Sequence, residues 1–259
     1  MKKPFFSIIT PSYNRGYIIE KTIQSVLEQT FSDWEMIIID DGSNDNTKDI
    51  VETYIEKDSR IYFYSLKENK GPNIARNFAS EKANGEWLVF LDSDDSLTDN
   101  ALEIAYEYIK KLNKVYFFIF NCQDLDGNIP INIKNYEGYI DYKDFLCCKI
   151  KGEALPIVRK DCFLEIKFEE NIRGGEAIAW IKFLKKYGSG YFSNKVLRIY
   201  NNKLEDRLSI KKRNSQRLYQ VYQQFLKNFK NDLIKTCPSC FIEIYFKFLF
   251  YKFFSLINK

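Results

Sequence analysis

Asp92, Asp94 and Asp95 fall within four positions of Leu91-Asp92-Ser93-Asp94-Asp95, directly after the apolar run Trp87-Leu88-Val89-Phe90-Leu91. Such a run reads as a strand covered on both faces, so the carboxylates must emerge at its end, where the chain meets water. Three carboxylates this close repel one another unless a cation or a hydrogen-bond donor offsets their charge. An Asp-x-Asp at a strand end is therefore a seat for a hard divalent cation that also grips a diphosphate. Taken alone, the same residues also read as an Asp/Ser turn leading into a helix that begins near Thr98. Two further loops favour the chemical reading. Met36-Ile37-Ile38-Ile39 ends in Asp40-Asp41-Gly42-Ser43, and Phe5-Phe6-Ser7-Ile8-Ile9-Thr10 ends in Pro11-Ser12-Tyr13-Asn14-Arg15.

The elements that must position these loops alternate. Ile18, Ile19, Thr22, Ile23, Val26 and Leu27 mark one helix face, and Ile50, Val51, Tyr54 and Ile55 mark another. Residues 61–65 read as a strand, and residues 73–83 as a helix after Gly71-Pro72. Strand–helix alternation predicts crossover connections and an α/β fold, a mostly parallel central sheet flanked by helices. Ligands of such sheets sit beyond the carboxyl ends of the strands. Tyr13, Asp41 and Asp92 are expected to face one cleft there.

Five phrases in order carry a family resemblance: residues 7–15 (Ser-Ile-Ile-Thr-Pro-Ser-Tyr-Asn-Arg), 25–30 (Ser-Val-Leu-Glu-Gln-Thr), 39–43 (Ile-Asp-Asp-Gly-Ser), 71–77 (Gly-Pro-Asn-Ile-Ala-Arg-Asn) and 91–95 (Leu-Asp-Ser-Asp-Asp). Together they resemble the nucleotide-sugar-binding half of the family 2 glycosyltransferases, which have the GT-A fold. The likeness is dense over the first hundred residues or so and thin to about residue 200. It implies a nucleotide-sugar donor, with UDP favoured, a divalent Mn²⁺ or Mg²⁺, and transfer to a hydroxyl of a glycan or lipid-linked acceptor in surface polysaccharide assembly.

The resemblance also implies roles. Tyr13 offers an aromatic face to a nucleobase, or is an ordinary loop aromatic. Pro11 stiffens the loop where the chain leaves the strand, and Arg15 and Ser93 lie within the nucleotide-sugar-binding phrases. Asp41 resembles the carboxylate that accepts hydrogen bonds from base or ribose; Asp40 does the same or caps the Gly42 turn. Arg76 resembles a residue that grips the diphosphate with its guanidinium. Asp92 is expected at the ribose or the metal, and Asp94 as a direct metal ligand, the pair forming a DXD motif.

Direct attack on the anomeric carbon would invert its configuration, and a carboxylate base would take the acceptor's proton. The chain has no His, so Asp or Glu must serve if a side chain does. The family usually places this base in a Glu-Asp pair at a helix start. The matching segment here is Arg173-Gly174-Gly175-Glu176-Ala177, with Ala177 where the Asp would stand. Glu176 is the expected base, with Glu169, Glu170 and Glu153 behind it; its other reading is a carboxylate that complements the helix dipole. The Ala177 departure supports a competing reading, a nucleotide-sugar-binding or scaffold protein that has lost turnover. A nucleotidyltransferase is disfavoured, because residues 11–16 do not form a Gly-rich basic loop.

At 259 residues and 45% hydrophobic content, the chain can bury a large core and is not generally disordered. Pro11-Ser12 interrupts the N-terminal apolar run before a secretory core forms, so a cytoplasmic protein with six reduced cysteines is expected, at the inner face of the cell membrane. Cys237-Pro238-Ser239-Cys240 lacks a second Cys-x-x-Cys, and Cys147-Cys148 are chain neighbours; both pairs read as ordinary cysteines. The expected organisation is a transferase domain over residues 1–202, split into a nucleotide-sugar half (1–98) and an acceptor-side half (99–202), then an extension over 203–259. In the acceptor-side half, a helix covers Ala101 to Leu112 and a strand residues 115–120. A short helix is expected near 141–148, a strand at 155–159, and returning strands at 191–192 and 196–200.

The extension carries 12 Lys or Arg against 4 Asp or Glu and is dense in aromatics, including Phe246, Phe250 and Phe253. Glu243, Lys247 and Lys252 argue against a spanning helix. It reads as a helical pair packed on the domain or as a basic aromatic surface on an anionic membrane, and peripheral membrane contact is the expectation carried forward. No nucleic-acid motif accompanies the charge.

Overall fold

The computed structural model describes residues 3–204 and 215–257. In chain order the elements are β1 (Phe6–Ser12), α1 (Ile19–Leu27), β2 (Trp34–Asp40), α2 (Thr47–Ile55), β3 (Ile61–Ser65), α3 (Pro72–Lys82), β4 (Trp87–Phe90) and β5 (Ser96–Leu97). Next come α4 (Ala101–Lys111), β6 (Phe117–Asp124), β7 (Gly138–Ile140), α5 (Tyr142–Leu146), β8 (Ala154–Arg159), α6 (Lys160–Leu164), α7 (Ala177–Tyr187) and β9 (Gly190–Tyr200). Two long helices close the chain, α8 (Ser215–Thr236) and α9 (Pro238–Ile257).

Every residue of β1, β2 and β4 is buried, as their unbroken apolar runs require. Alternate side chains enter two cores. Phe6, Ile8, Met36, Ile38 and Val89 join Ile23 of α1, Val51 of α2 and Leu102 of α4 on one face. Ile9, Ile37, Ile39, Leu88 and Phe90 join Ala75 of α3, Phe163 of α6 and Phe183 of α7 on the other. One sheet runs β3-β2-β1-β4-β8-β6-β9-β5, with β7 beside β9, so both halves of the expected transferase domain share it. The first four strands pair in parallel, whereas β8 lies antiparallel between β4 and β6. Ser12 aligns with Asp40 and Ile9 with Phe90, so the chain leaves β1, β2 and β4 at one edge of the sheet.

Three boundaries differ from the sequence reading. The helix expected near Thr98 starts at Ala101, because Ser96 and Leu97 first pair with β9. The two returning strands are one, β9, which follows β6 through two register irregularities. Pro11 lies inside β1 rather than in the loop beyond it. Leu91 N–H donates to Ile9 O at 3.1 Å, and Pro11, two residues on, points its nitrogen the same way, past the end of β4. No ladder donor is lost there.

Of the described part of the extension, α8 packs on the domain. Phe229 and Leu233 bury against Leu146, Ile178 and Ile181, while residues 205–214 and 258–259 of the extension lie outside the described residues. The last helix folds back along α8 through Tyr219–Phe248 and Tyr222–Tyr251 ring pairs at 5.5 and 5.7 Å. Its other side is exposed: Ile242, Phe246, Leu249, Phe250, Phe253 and Leu256 form one stripe. No described helix is long and apolar enough to cross a membrane.

Candidate functional site

The sheet edge brings the predicted residues together by stitching one loop to the next. After β1, Asn14 adopts φ 51°, donates its N–H to Ser43 Oγ at 2.8 Å and accepts from Asn44 N–H at 2.9 Å. Arg15 N–H donates to Thr47 Oγ1 at 2.9 Å, which ties the loop to the start of α2. Tyr13, just before these anchors, is 41% exposed. Asp40 is buried and accepts from the N–H and hydroxyl of Ser43 and from Ser65 Oγ, so it holds the turn at Gly42. Asp41 is also buried, and its two oxygens take the N–H groups of Lys70 and Gly71 at 2.7 and 2.8 Å. Burial raises its pKa above the usual range against those two bonds.

Beyond β4, Asp95 N–H donates to Asp92 O, so the acidic triplet is also a tight turn. Its three carboxylates face different partners. Asp92 accepts from Arg76 Nη2 at 2.7 Å. Crowding by protein would raise its pKa, but the charges of Arg76 and Arg198 win and hold it below the ordinary range. Asp94 has Arg15 at only 3.9 Å; burial, and then the charge of Asp92, push it up to about 6. Asp95 turns inward to Arg198 at 3.5 Å and to Asn201 N–H at 2.9 Å, and burial lifts it to about 7. Ser93 is buried between them.

Arg76, on α3, connects the two sides of the cleft. Its Nη2 binds Asp92 and its Nη1 binds Glu176 Oε1 at 3.0 Å, so one guanidinium serves a carboxylate from each half of the chain. Burial opposes its charge, yet those two carboxylates keep it firmly protonated. Glu176 stands at the start of α7 without a side-chain capping bond and follows Gly174 and Gly175, whose φ values of 85° and 77° lie where other residues are strained. That turn delivers Glu176 to Arg76. The other acids considered as bases are engaged elsewhere: Glu169 with Lys182 and Gln224, Glu170 with Asn77, and Glu153 with Arg198. Ala177 is exposed, one residue beyond.

Sequence reasoning did not find the residues that hold the Glu176 segment. Asn73 Nδ2 lies at 2.9, 3.1 and 3.0 Å from the carbonyls of Glu169, Ile172 and Gly174. Asn77 clasps Phe168 through both its N–H and its C=O at 2.9 and 3.0 Å. Both asparagines stand in the 71–77 phrase, but their partners lie more than ninety residues away. Arg198, 3% exposed, was equally silent in the sequence.

The donor set fits a hard divalent cation. Asp92 and Asp94 offer carboxylate oxygens, and the raised pKa of Asp94 marks negative charge that its neighbours leave undercompensated. Among the described residues no three His, Cys, Asp or Glu side chains form a ready-made metal cluster.

Known proteins are similar to this chain in sequence and fold. The profile of Glycosyl transferase family 2 matches residues 7–162. The GalNAc(5)-diNAcBac-PP-undecaprenol beta-1,3-glucosyltransferase of Campylobacter jejuni is 33% identical over 255 residues, spanning 91% of this chain and 80% of that protein. S. aureus TarS 1-349 in complex with UDP-GlcNAc superposes with a TM-score of 0.75 at 22% identity, over 88% of this chain and 67% of that one. Mannosyltransferase PcManGT from Pyrobaculum calidifontis, in complex with GDP-Man and Mn²⁺, gives 0.62 at 18% identity, over 88% and 65%. The protein is thus a glycosyltransferase of the GT-A fold and belongs to glycosyltransferase family 2.

Proposed function

We propose that this enzyme moves a sugar from a UDP-sugar to a hydroxyl of a lipid-linked or polymeric acceptor in surface glycan assembly, with inversion at the anomeric carbon. The observation that carries the reading is Arg76, its side chain only 11% exposed and bound at once to Asp92 and Glu176. It sets the acid at the DXD turn and the acid at the α7 start against one cationic centre, where a diphosphate leaving group would be neutralised. Tyr13 would face the base, while Asp41 and Asp40 would hold the nucleotide loop through the backbone bonds described above. Asp92 and Asp94 would hold Mn²⁺ or Mg²⁺, which supplies charge neutralisation to the departing nucleoside diphosphate when bound. Arg15, beside Asp94, would meet the same phosphates.

Glu176 would accept the acceptor's proton. It is the one acid of the four considered that meets Arg76, and Gly174-Gly175 aim it there. The lipid-linked acceptor rests on the C. jejuni relative, and the UDP-sugar on the TarS complex. Peripheral contact with the cytoplasmic membrane face rests on the apolar stripe of α9, with Lys247 and Lys252 on the same helix.

Glu176→Gln tests the assignment. Transfer from UDP-sugar should fall by on the order of a hundredfold or more while donor binding and Tm are kept. Transfer at the parental rate would remove Glu176 from the role. If donor binding falls with it, the residue positions Arg76 instead.

A further inference from the structure

Glu176 stands at the end of an irregular stretch. Residues 165–176, between α6 and α7, form neither helix nor strand, so their backbone groups need partners from elsewhere. From one side α3 supplies them, through Asn73 to the carbonyl of Glu169 and Asn77 to that of Phe168. Along another side runs α8. Gln224 Nε2 donates to Glu169 Oε2 at 2.7 Å, while Lys182 of α7 holds the other carboxylate oxygen. Val221 Cγ1 lies 3.4 Å from where a Cβ on Gly175 would stand. One turn earlier, Arg217 Nη1 lies 3.3 Å from where a Cβ on Gly174 would stand, and Glu176 Oε2 lies 3.9 Å from that same point. Residues 217, 221 and 224 are spaced i, i+4, i+7, so one stripe of α8 follows the stretch that ends in Glu176.

The second half of the same helix does something else. Phe229 and Leu233 bury against Leu146, Ile178 and Ile181, an apolar seam that fastens α8 to the domain. The contacts of the first half bury little apolar area; what they fix is geometry. Glu176 is 39% exposed at its side chain and meets Arg76 at 3.0 Å, so its place depends on the backbone turn at Gly174-Gly175.

We propose, on the reading of Glu176 as the base, that the first half of α8 is a positioning element for transfer. Gln224 and Val221, acting through Glu169 and Gly175, hold the turn that sets Glu176 against Arg76. Glu169 is the hub of this arrangement, with its carbonyl on α3 and its carboxylate shared between α7 and α8. The family profile ends at residue 162, so the proposed base and the helix that places it both lie beyond the matched region.

The test uses the full chain. Gln224→Met removes the donor to Glu169 and keeps length and helix propensity; Val221→Ala removes the contact over Gly175. Each should lower kcat in the UDP-sugar assay by roughly 10–100-fold, the scale on which misplacing a reacting group acts. UDP binding by calorimetry should stay at the parental affinity, and Tm should move by less than about 5 °C. Amide hydrogen exchange should quicken across residues 168–177 in both variants and stay slow in β1, β2 and β4. Added to Glu176→Gln, Gln224→Met should slow transfer no further, as expected of residues that act as a unit. Leu233→Ala, in the seam, should show the reverse pattern: Tm lower by roughly 5–15 °C, with kcat kept well below that temperature. Parental kcat in Gln224→Met and Val221→Ala beside a slowed Glu176→Gln would overturn the positioning role and leave the base assignment standing. Unchanged exchange across residues 168–177, a multiplicative loss in the double variant, or an equal loss of UDP binding would overturn it too. A parental rate in Glu176→Gln would overturn both readings at once.

Discussion

Asp94 holds its charge in poor surroundings, with burial and Asp92 against it and Arg15 3.9 Å away. A cation there would relieve both penalties, so Asp94→Asn should weaken metal-dependent donor binding while Tm stays level or rises. Loss of partners outside the coordination shell costs about 10–100-fold in metal affinity, and loss of a direct ligand should cost at least that order. Calorimetry of UDP-sugar binding with and without Mn²⁺ reads the difference; equal binding by variant and parent would remove Asp94 from the metal. Asn73 makes the opposite case, a structural residue with a catalytic consequence. Asn73→Ala leaves three carbonyls of the Glu176 segment without their donor and should cost about 1–3 kcal/mol by denaturant unfolding, with slower transfer alongside. Unchanged unfolding would show that the segment is held by other bonds. The strand-end carboxylates were legible because apolar run and acid adjoin in sequence. Asn73, Asn77 and Arg198 were not, because their partners are set by how the strands order in space.

Helix faces and strand ends followed from local spacing, which is why β3 and α3 lie where periodicity placed them within a residue. Packing of the extension did not follow. The same aromatic density serves a buried seam on α8 and a bare stripe on α9, and only the hairpin geometry separates the two. The stripe of Ile242, Phe246, Leu249, Phe250, Phe253 and Leu256 recurs every three to four residues on one side of the helix. Phe246→Glu with Phe250→Glu should reduce sedimentation with anionic vesicles without lowering Tm, since both rings are more than half exposed. Added salt should weaken the parent's binding as well. A variant that loses its fold would place those rings in the protein core instead, and the membrane reading would fail.

The mixed sheet is the largest feature that spacing could not convey. Alternation implied a parallel order, and β3-β2-β1-β4 obeys it, but β8 enters antiparallel beside β4 after a long excursion. Nothing in Ala154-Leu155-Pro156-Ile157-Val158-Arg159 states its direction. That insertion carries the chain to α6 and α7 and sets Glu176 across from Asp92, so the proposed reaction centre depends on the non-local half of the topology. Ala177 is the residue at which the family likeness departs, and the structure leaves it exposed beside the acid that remains.

On the proposed assignment, the shared guanidinium of Arg76 would impose a schedule on the two substrates. Its planar fork can satisfy a limited set of oxygens, and a bidentate diphosphate is a stronger claimant than a partly exposed carboxylate. When the donor docks, Glu176 would lose its cation, and a carboxylate without a neighbouring cation is the better base. Proton abstraction would thus be armed only behind a seated donor, and compulsory order is expected over random addition. Initial-rate kinetics should show UDP competing with the donor and acting non-competitively towards the acceptor. A random pattern would show that Glu176 is free of Arg76 from the start.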